Sequence, residues 1–446
     1  MAQPQPTLQS LAQKITEATN ALASYLAAND LPAPSFDENG PEDHPKAPEF
    51  QIVRGQLLDA MTDLHHLVSG PTDYASLTAC FNNHENTVLD IFNQFNVFGA
   101  VPIGGSATYT EIAAATSLPE TIVRRVMRYA FTVRLFAAAP APHVDAVVHT
   151  ATTALLAKNK NLRSLLAHNL EEMRPAAVFA PEALRKFSTG QPLQPSQEPT
   201  ETAFSLADIA RSGRQEGFFD YIRIGNNAQR FAEAMEAIAA ASGFDRTETL
   251  KAAYDWAGLG TATVVDIGGA SGHDATALAA AFPGLSLVVQ DLPGMEPAFN
   301  ETVPAALQRA GRVRFETHDF LQPQPRAADV YVLKWILHDW SDKYASQILR
   351  NLVPQLRAGD SRSRILVHEM VVPPLQGAQG GPTVPLAFQR AAAAVDLQML
   401  VACNSLERTL EQWQALAKQA DERLEARLAH AFPGTFWGLV EIVLRE

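Results

Sequence analysis

From Thr261 onward, short β-branched runs alternate with helical stretches, and this alternation restricts the fold more than any other feature of the chain. ATVVDI (262–267), LSLVVQ (285–290), RVRFET (312–317), DVYVLK (329–334) and RILVHEM (364–370) are expected strands. HDATALAAAF, EPAFNETVPAALQRA and SDKYASQILRNLVPQL lie between them and have helical character. Apolar strands separated by helices need a mainly parallel sheet covered on both faces. The expected class is α/β with a doubly wound, Rossmann-like sheet. Beyond it, EQWQALAKQADERL reads as a helix and TFWGLVEIVLRE as one or two edge strands.

The first half is helical. Leu8, Leu11, Ile15, Ala18, Leu22 and Leu26 share one helical face. Residues 31–50 are rich in Pro, Asp and Glu and read as a connector, before an amphipathic helix from Ile52 to Leu67. Val88, Ile91, Phe92 and Phe95 form another stripe. Two short helices follow, the first capped by Thr110 and the second starting near Pro119, with a β-ribbon expected near 131–150. Such a pair resembles a winged helix, in which Arg124, Arg125, Arg128 and Arg134 would face DNA phosphates. The chain carries 48 acidic against 35 basic residues, a formal charge of −13, which opposes that use. An interaction or dimerisation module is the favoured reading. Residues 187–200 form a Pro/Gln/Ser-rich surface loop, and the chain is helical again from 202.

Two cysteines, Cys80 and Cys403, cannot build a disulfide framework or complete a structural zinc site. The first 20 residues lack a charged segment followed by an apolar one, so no signal peptide is expected. No uncharged apolar run reaches the roughly 18 residues of a membrane span. The expected setting is cytoplasmic, without membrane or nucleic-acid partners.

The first strand–helix turn reads VVDIGGASGHD. Gly268, Gly269 and Gly272 let the backbone turn sharply and approach a ligand at a helix N-terminus. The dinucleotide pattern G-x-G-x-x-G fails here, because Ala270 and His273 stand where glycines are needed. Asp291, 25 residues beyond Asp266, ends the second strand and is placed to accept ribose hydroxyls. Asp319 and Phe320 follow the third strand, where an adenine amino group and ring face are within reach. These residues fall at successive strand C-termini, the ligand edge of open α/β sheets. A nucleoside ligand is the expectation.

Strand four ends in LKWILHDWSD, with Lys334 and Trp335 closing it, His338 and Asp339 in the next loop, and Ser341 capping the next helix. An unperturbed histidine, with a pKa of about 6.5, suits general-base work near neutral pH. Glu369 ends strand five and Glu407 lies in NSLERTLEQW; carboxylates in such places can orient an imidazole. No metal-ligand cluster is seen.

VVDIGGASGH, VVQDLPGM, THDF, LKWILHDWSD, ILVHEMVVPP and NSLERTLEQWQALAKQA together resemble the S-adenosylmethionine-dependent O-methyltransferases of the plant caffeic-acid type, and most closely their fungal secondary-metabolite branch. The resemblance spans roughly residues 85–446. It implies an N-terminal, mainly α, winged-helix-like dimerisation domain and a homodimer. It implies cofactor contacts from Gly268, Gly269, Gly272, Asp291, Leu292, Asp319, Phe320 and Lys334. His338 becomes the catalytic base, flanked by Glu369 and Glu407, and Phe219, Trp335 and Met399 become substrate contacts. Ala270 replaces a frequent family glycine, Cys403–Asn404 departs from the plant spacing by about one residue, and 31–50 and 187–200 have no clear counterpart. The expected domains are an extension (1–70), the dimerisation domain (71–200) and the catalytic domain (201–446). The expected reaction is methyl transfer to a phenolic or polyketide-like hydroxyl. A pericyclase or decarboxylase on the same scaffold, and a winged-helix regulator sensing a nucleoside, are the alternatives.

Overall fold

The computed structural model describes residues 5–142, 145–241, 246–372, 384–432 and 436–446. Its contacts group the chain into two units, one of residues 1–175, 219–243 and 385–388 and one of 176–218, 244–384 and 389–446.

In the first unit, α1 (Leu8–Ala28) buries Leu11 and Leu26. The long α2 (Pro48–Gln94) runs through residue 70 but kinks there, where Gly70 has φ 69° and Pro71 follows. Proline has no N–H to continue the ladder, which accounts for the break. Next come β1 (Ala107–Thr108), α3 (Tyr109–Thr116), α4 (Glu120–Thr132), β2 (Ala137–Ala138) and β3 (Ala146–Val148). The three strands pair antiparallel in the order β1-β3-β2, so the expected helix pair and ribbon are present. His143 and Val144 of the ribbon lie outside the described residues. Thr108 caps α3, accepting from the Glu111 amide at 3.2 Å; Thr110 instead donates to Glu120 at 2.7 Å. The cap falls where the chain leaves β1, two residues before the expected position. Arg124 is bound by Glu120 (2.8 Å) and Asp145 (3.0 Å), which removes it from the set of phosphate contacts considered above.

The second unit contains β4 (Ala262–Ile267), α5 (His273–Ala281), β5 (Leu285–Asp291), β6 (Val313–Thr317), β7 (Val330–Lys334), α6 (Asp342–Leu352), β8 (Arg364–Val372), α7 (Leu386–Cys403, whose first three residues group with the first unit), α8 (Leu410–Ala420), β9 (Leu424–Ala431) and β10 (Trp437–Leu444). The strand order is β9-β10-β8-β7-β4-β5-β6, and Arg408–Thr409 pairs beside β8. The five central strands are parallel, and β10 and β9 are antiparallel. Val265, Tyr331, Ile348 and Trp413 pack on one face, and Val264, Leu287, Leu278 and Trp256 on the other. The sheet is thus covered twice, as its apolar strands require.

Two details differ from the sequence reading. Residues 424–431 form a strand, although the helical reading extends to Leu424 and leaves the rest unassigned. The strand at 437–444 is internal, not an edge, because it buries Leu439, Val440 and Ile442 between β8 and β9. The more polar β9 takes the edge. Thr435 and the Pro373–Pro374 end of the fifth motif lie outside the described residues. Among the described residues, α7 alone is long and apolar enough by length and composition to cross a membrane. It carries Arg390 and Asp396, and Asp396 accepts the Glu407 amide at 2.8 Å.

Candidate active site at the strand C-termini

Strand order reverses between β4 and β7, and the expected residues gather at that switch point. The glycine turn leaves β4 with Gly268 at φ 68° and enters α5 with Gly272 at φ 79°. A Cβ on Gly269 would lie 2.5 Å from Asp266 Oδ2, and one on Gly268 2.5 Å from Ile336 Cδ1. Ala270 stands at φ 47°, so the residue replacing a frequent glycine still adopts the left-handed conformation. Asp266 is buried and its Oδ2 has no hydrogen-bond partner among the described residues. Burial, then the nearby Asp274, push its carboxyl up to about 7 against the pull of Lys334.

Asp291 joins two turns. Its Oδ2 accepts the Ala270 amide (2.9 Å) and its Oδ1 the Leu292 amide (2.7 Å). Burial raises its pKa, and these two N–H groups work the other way. Asp319 accepts the Leu321 amide at 2.9 Å. Phe320 meets Trp340 edge-on at 5.7 Å, and its Cε1 lies 3.8 Å from where a Gly268 Cβ would be. The glycine turn thus adjoins both Asp291 and Phe320, while the Lys334 Nζ lies 2.6 and 2.7 Å from the two Asp274 oxygens. Asp274 was absent from the sequence-derived set, although an acid in the first turn of the helix after a glycine loop is a readable signal.

Trp335 turns the chain out of β7 at φ 58°, an uncommon conformation for a bulky residue. Its ring stacks on Trp437 (4.8 Å, 13°) and meets His338 at 5.9 Å. The turn Leu337–Asp339 then presents His338, whose Nδ1 lies 2.7 Å from Glu407 Oε1 and whose Nε2 lies 3.6 Å from Asp339 Oδ1. Burial disfavours charge on this imidazole, but Asp339, Glu407 and Glu369 outweigh it and push the pKa up to about 10. The unperturbed value assumed from sequence is corrected: three carboxylates face this histidine from its own turn, from β8 and from the segment after α7. Asp339 rises to about 6 and Glu369 to about 7, in both cases mainly by burial.

Glu369 makes no hydrogen bond to the imidazole among the described residues. Its Oε1 accepts the Ile336 (3.0 Å) and Leu337 (2.6 Å) amides, so it holds the turn's backbone and acts on His338 through charge. Arg408, fully buried, grips the same turn through the Leu337 and Trp340 carbonyls (2.9 Å each) and Asp342 (2.7 Å). It was missed because nothing local marks an arginine whose partners are 66–71 residues away. Met399 is half-buried on α7, and its carbonyl accepts the Ser405 amide at 3.4 Å. The Asn404 side chain is engaged by backbone carbonyls, donating to Glu201 (2.9 Å) and Glu198 (3.3 Å). Phe219 belongs to the first unit.

A doubly wound sheet with a glycine turn, acids at the ends of its strands and a histidine among carboxylates at the same edge places the chain in the class of α/β folds that bind a ligand at their strand C-termini. A family model described as an O-methyltransferase domain matches residues 205–421. The chain is 33% identical over 436 residues to O-methyltransferase PaMT of Phomopsis amygdali, covering 97% of this chain and 96% of that one. OxaC in complex with SAH and oxaline has a TM-score of 0.71 at 23% identity, over 98% of this chain and 100% of that one. A structure described as a pericyclic reaction enzyme has a TM-score of 0.67, also at 23% identity, over 89% and 95%. The chain belongs to the S-adenosylmethionine-dependent O-methyltransferases, in their fungal secondary-metabolite branch.

Proposed function

We propose that this enzyme methylates a hydroxyl of a phenolic or polyketide-like small molecule, with His338 taking the hydroxyl proton. S-adenosylmethionine, when bound, supplies an electrophilic methyl group. The residues present fit such a ligand: Asp291 ends β5 beside the glycine turn, and the buried Asp266 Oδ2 has no hydrogen-bond partner among the described residues. Gly268 and Gly272 take the positive φ that shapes the cofactor turn, and Gly269 leaves room for Asp266 against it. Asp291 and Leu292 hold the ribose, Asp319 and Phe320 the adenine side, and Lys334 fixes Asp274 beside the turn.

The observation that carries the reading is the His338–Glu407 bond of 2.7 Å. It occupies Nδ1 and leaves Nε2 as the nitrogen that receives a proton. Only the neutral imidazole can take the proton of a phenol, whose own pKa is about 10, so turnover is expected to rise with pH as His338, held protonated by its carboxylates, loses its proton. Trp335 and Met399, both in the second unit, are proposed substrate contacts. Alignment supplies the larger share of the acceleration, roughly 7–11 kcal/mol in well-oriented reactions. General-base help adds about 10²–10⁴-fold. His338→Ala is expected to lose turnover and keep cofactor binding; wild-type turnover in that variant refutes the assignment.

The pericyclic neighbour favours a second reading, in which the cofactor serves as a bound charge. The His338–Glu407 pair supports methyl transfer instead, and formation of S-adenosylhomocysteine together with product separates the two. A homodimer is also proposed. Residues 71–86 of α2 are exposed throughout and carry Tyr74, Leu77 and Phe81 at helical spacing, a face suited to a second copy. Light scattering on the eluting protein tests it, and a monomer at micromolar concentration rejects it.

A further inference from the structure

His338 and Glu407 come from segments far apart in the chain, so something must set their separation. Residues 196–201 touch both segments. On the His338 side, Ser341, the buried cap residue of α6, makes no capping bond with its side chain. Its Oγ donates to the Gln197 carbonyl at 2.8 Å. The free amide of Lys343 in the first turn of α6 is satisfied by Gln197 Oε1 at 2.6 Å. Gln197 thus supplies the cap that the sequence assigns to Ser341. Glu198 continues the grip through Lys343 Nζ (2.5 Å) and Tyr344 OH (2.9 Å).

On the Glu407 side, the Asn404 amide donates to the Glu198 and Glu201 carbonyls of the same segment. Asn404 stands at φ 53° and begins the short connection that delivers Glu407. The grips therefore fall three residues after His338 and three residues before Glu407. The segment is internally stiff: Ser196 bonds Glu201 at 2.5 Å, and the Glu201 amide donates to the Glu198 carbonyl at 3.2 Å.

We infer that residues 196–201 are a brace that fixes the distance between His338 and Glu407, with Gln197 and Asn404 as its positioning residues. The inference rests on the proposed proton-handling role of His338 and extends it to a loop outside the expected machinery. A loosened brace weakens the Nδ1–carboxylate bond, and His338 then holds its proton less tightly. The charged groups facing that imidazole are Asp339 on its own turn, Glu369 on β8 and Glu407 after α7; Arg408 acts on Glu369, Asp396 on Glu407, and Cys403 lies near Asp339.

The test uses Gln197→Ala, which removes the cap on one side, and Asn404→Gly, which keeps the left-handed backbone and removes the amide on the other. For each, kcat against pH is measured with saturating cofactor, along with S-adenosylhomocysteine affinity by calorimetry and the downfield Nδ1 proton resonance of His338, identified by its loss in His338→Ala. The expected result is a high-pH plateau of kcat lower by about tenfold, short of the 10²–10⁴-fold that losing the base itself costs. The acid limb of kcat is expected to fall by about one pH unit, with the resonance shifted upfield and cofactor affinity within twofold. Gln197→Glu retains an acceptor at the helix start and is expected to restore kcat. An unchanged plateau and limb in both the alanine and glycine variants, or a lower plateau with limb and resonance unmoved, overturns the brace. Wild-type turnover in His338→Ala would instead overturn the base assignment, so the two failures are distinguishable.

Discussion

Glu407→Gln isolates the electrostatics of the site. The replacement keeps an acceptor of the same shape 2.7 Å from His338 Nδ1 and removes one negative charge. Two unit charges about 4 Å apart interact by roughly 4 kcal/mol at an effective dielectric of about 20. One pH unit is worth about 1.4 kcal/mol, so the loss amounts to about three units. Asp339 and Glu369 remain and still favour the imidazolium. The imidazole pKa, raised to about 10 in the wild type, is therefore expected to fall. A raised pKa means that the protonated form persists to higher pH, so removing its cause moves the acid limb of kcat down, by about two to three units. The plateau is expected to drop as well, because the new amide can turn its NH2 toward Nδ1 and stabilise the wrong tautomer; the like replacement in a serine-protease triad costs about 10⁴-fold. Single-turnover methylation from pH 5.5 to about 10.5, with cofactor saturating, reads limb and plateau separately. A lower plateau with an unmoved limb would show that Glu407 orients the ring without setting its charge, and the electrostatic argument would fail.

Three further outcomes follow from the same geometry. Glu369→Gln keeps both amide bonds through Oε1 and removes a buried carboxylate whose folded pKa, about 7, exceeds its ordinary 4.5. Its ionisation subtracts stability as pH rises through that window, so the variant should be more stable by up to about 3 kcal/mol at pH 8 and by much less at pH 5; melting curves with equal gains at both would refute this. Asp291→Ala frees the Ala270 and Leu292 amides and should weaken cofactor affinity by about 10–100-fold, whereas unchanged calorimetric affinity would remove its ribose role. Arg408→Ala strips the turn of its two carbonyl contacts and leaves a buried gap. Denaturant melts should show a loss of about 3 kcal/mol or more, and a loss below about 1 kcal/mol would mean the turn stands without it.

The sheet was legible because its strands are buried on both faces. The runs at 262–267, 285–290 and 329–334 match β4, β5 and β7 to within one residue at each end. The glycine turn, Asp291 and His338 were legible because close backbone approach and strand-end acids leave local marks. What stayed hidden acts across long separations. Arg408, the Gln197 cap on Lys343 and the Asn404 ties join segments 66–206 residues apart, and no periodicity encodes them. The His338 charge was hidden for the same reason, since two of its three carboxylates come from other elements. β9 escaped because LEARLAHA mixes polar and apolar residues as an edge strand does and carries little strand signature of its own.

The stacked pair of Trp335 and Trp437 has a spectroscopic consequence. The chain has five tryptophans, and these two lie face to face at 4.8 Å with one ring against His338. Indoles this close couple their excited states and give a signed doublet in near-ultraviolet circular dichroism, and an adjacent imidazolium quenches indole emission while neutral imidazole does so far less. Trp335 emission is therefore expected to follow the protonation of His338, and a His338→Ala control separates it from His368, which stacks on Trp437 at 6.5 Å.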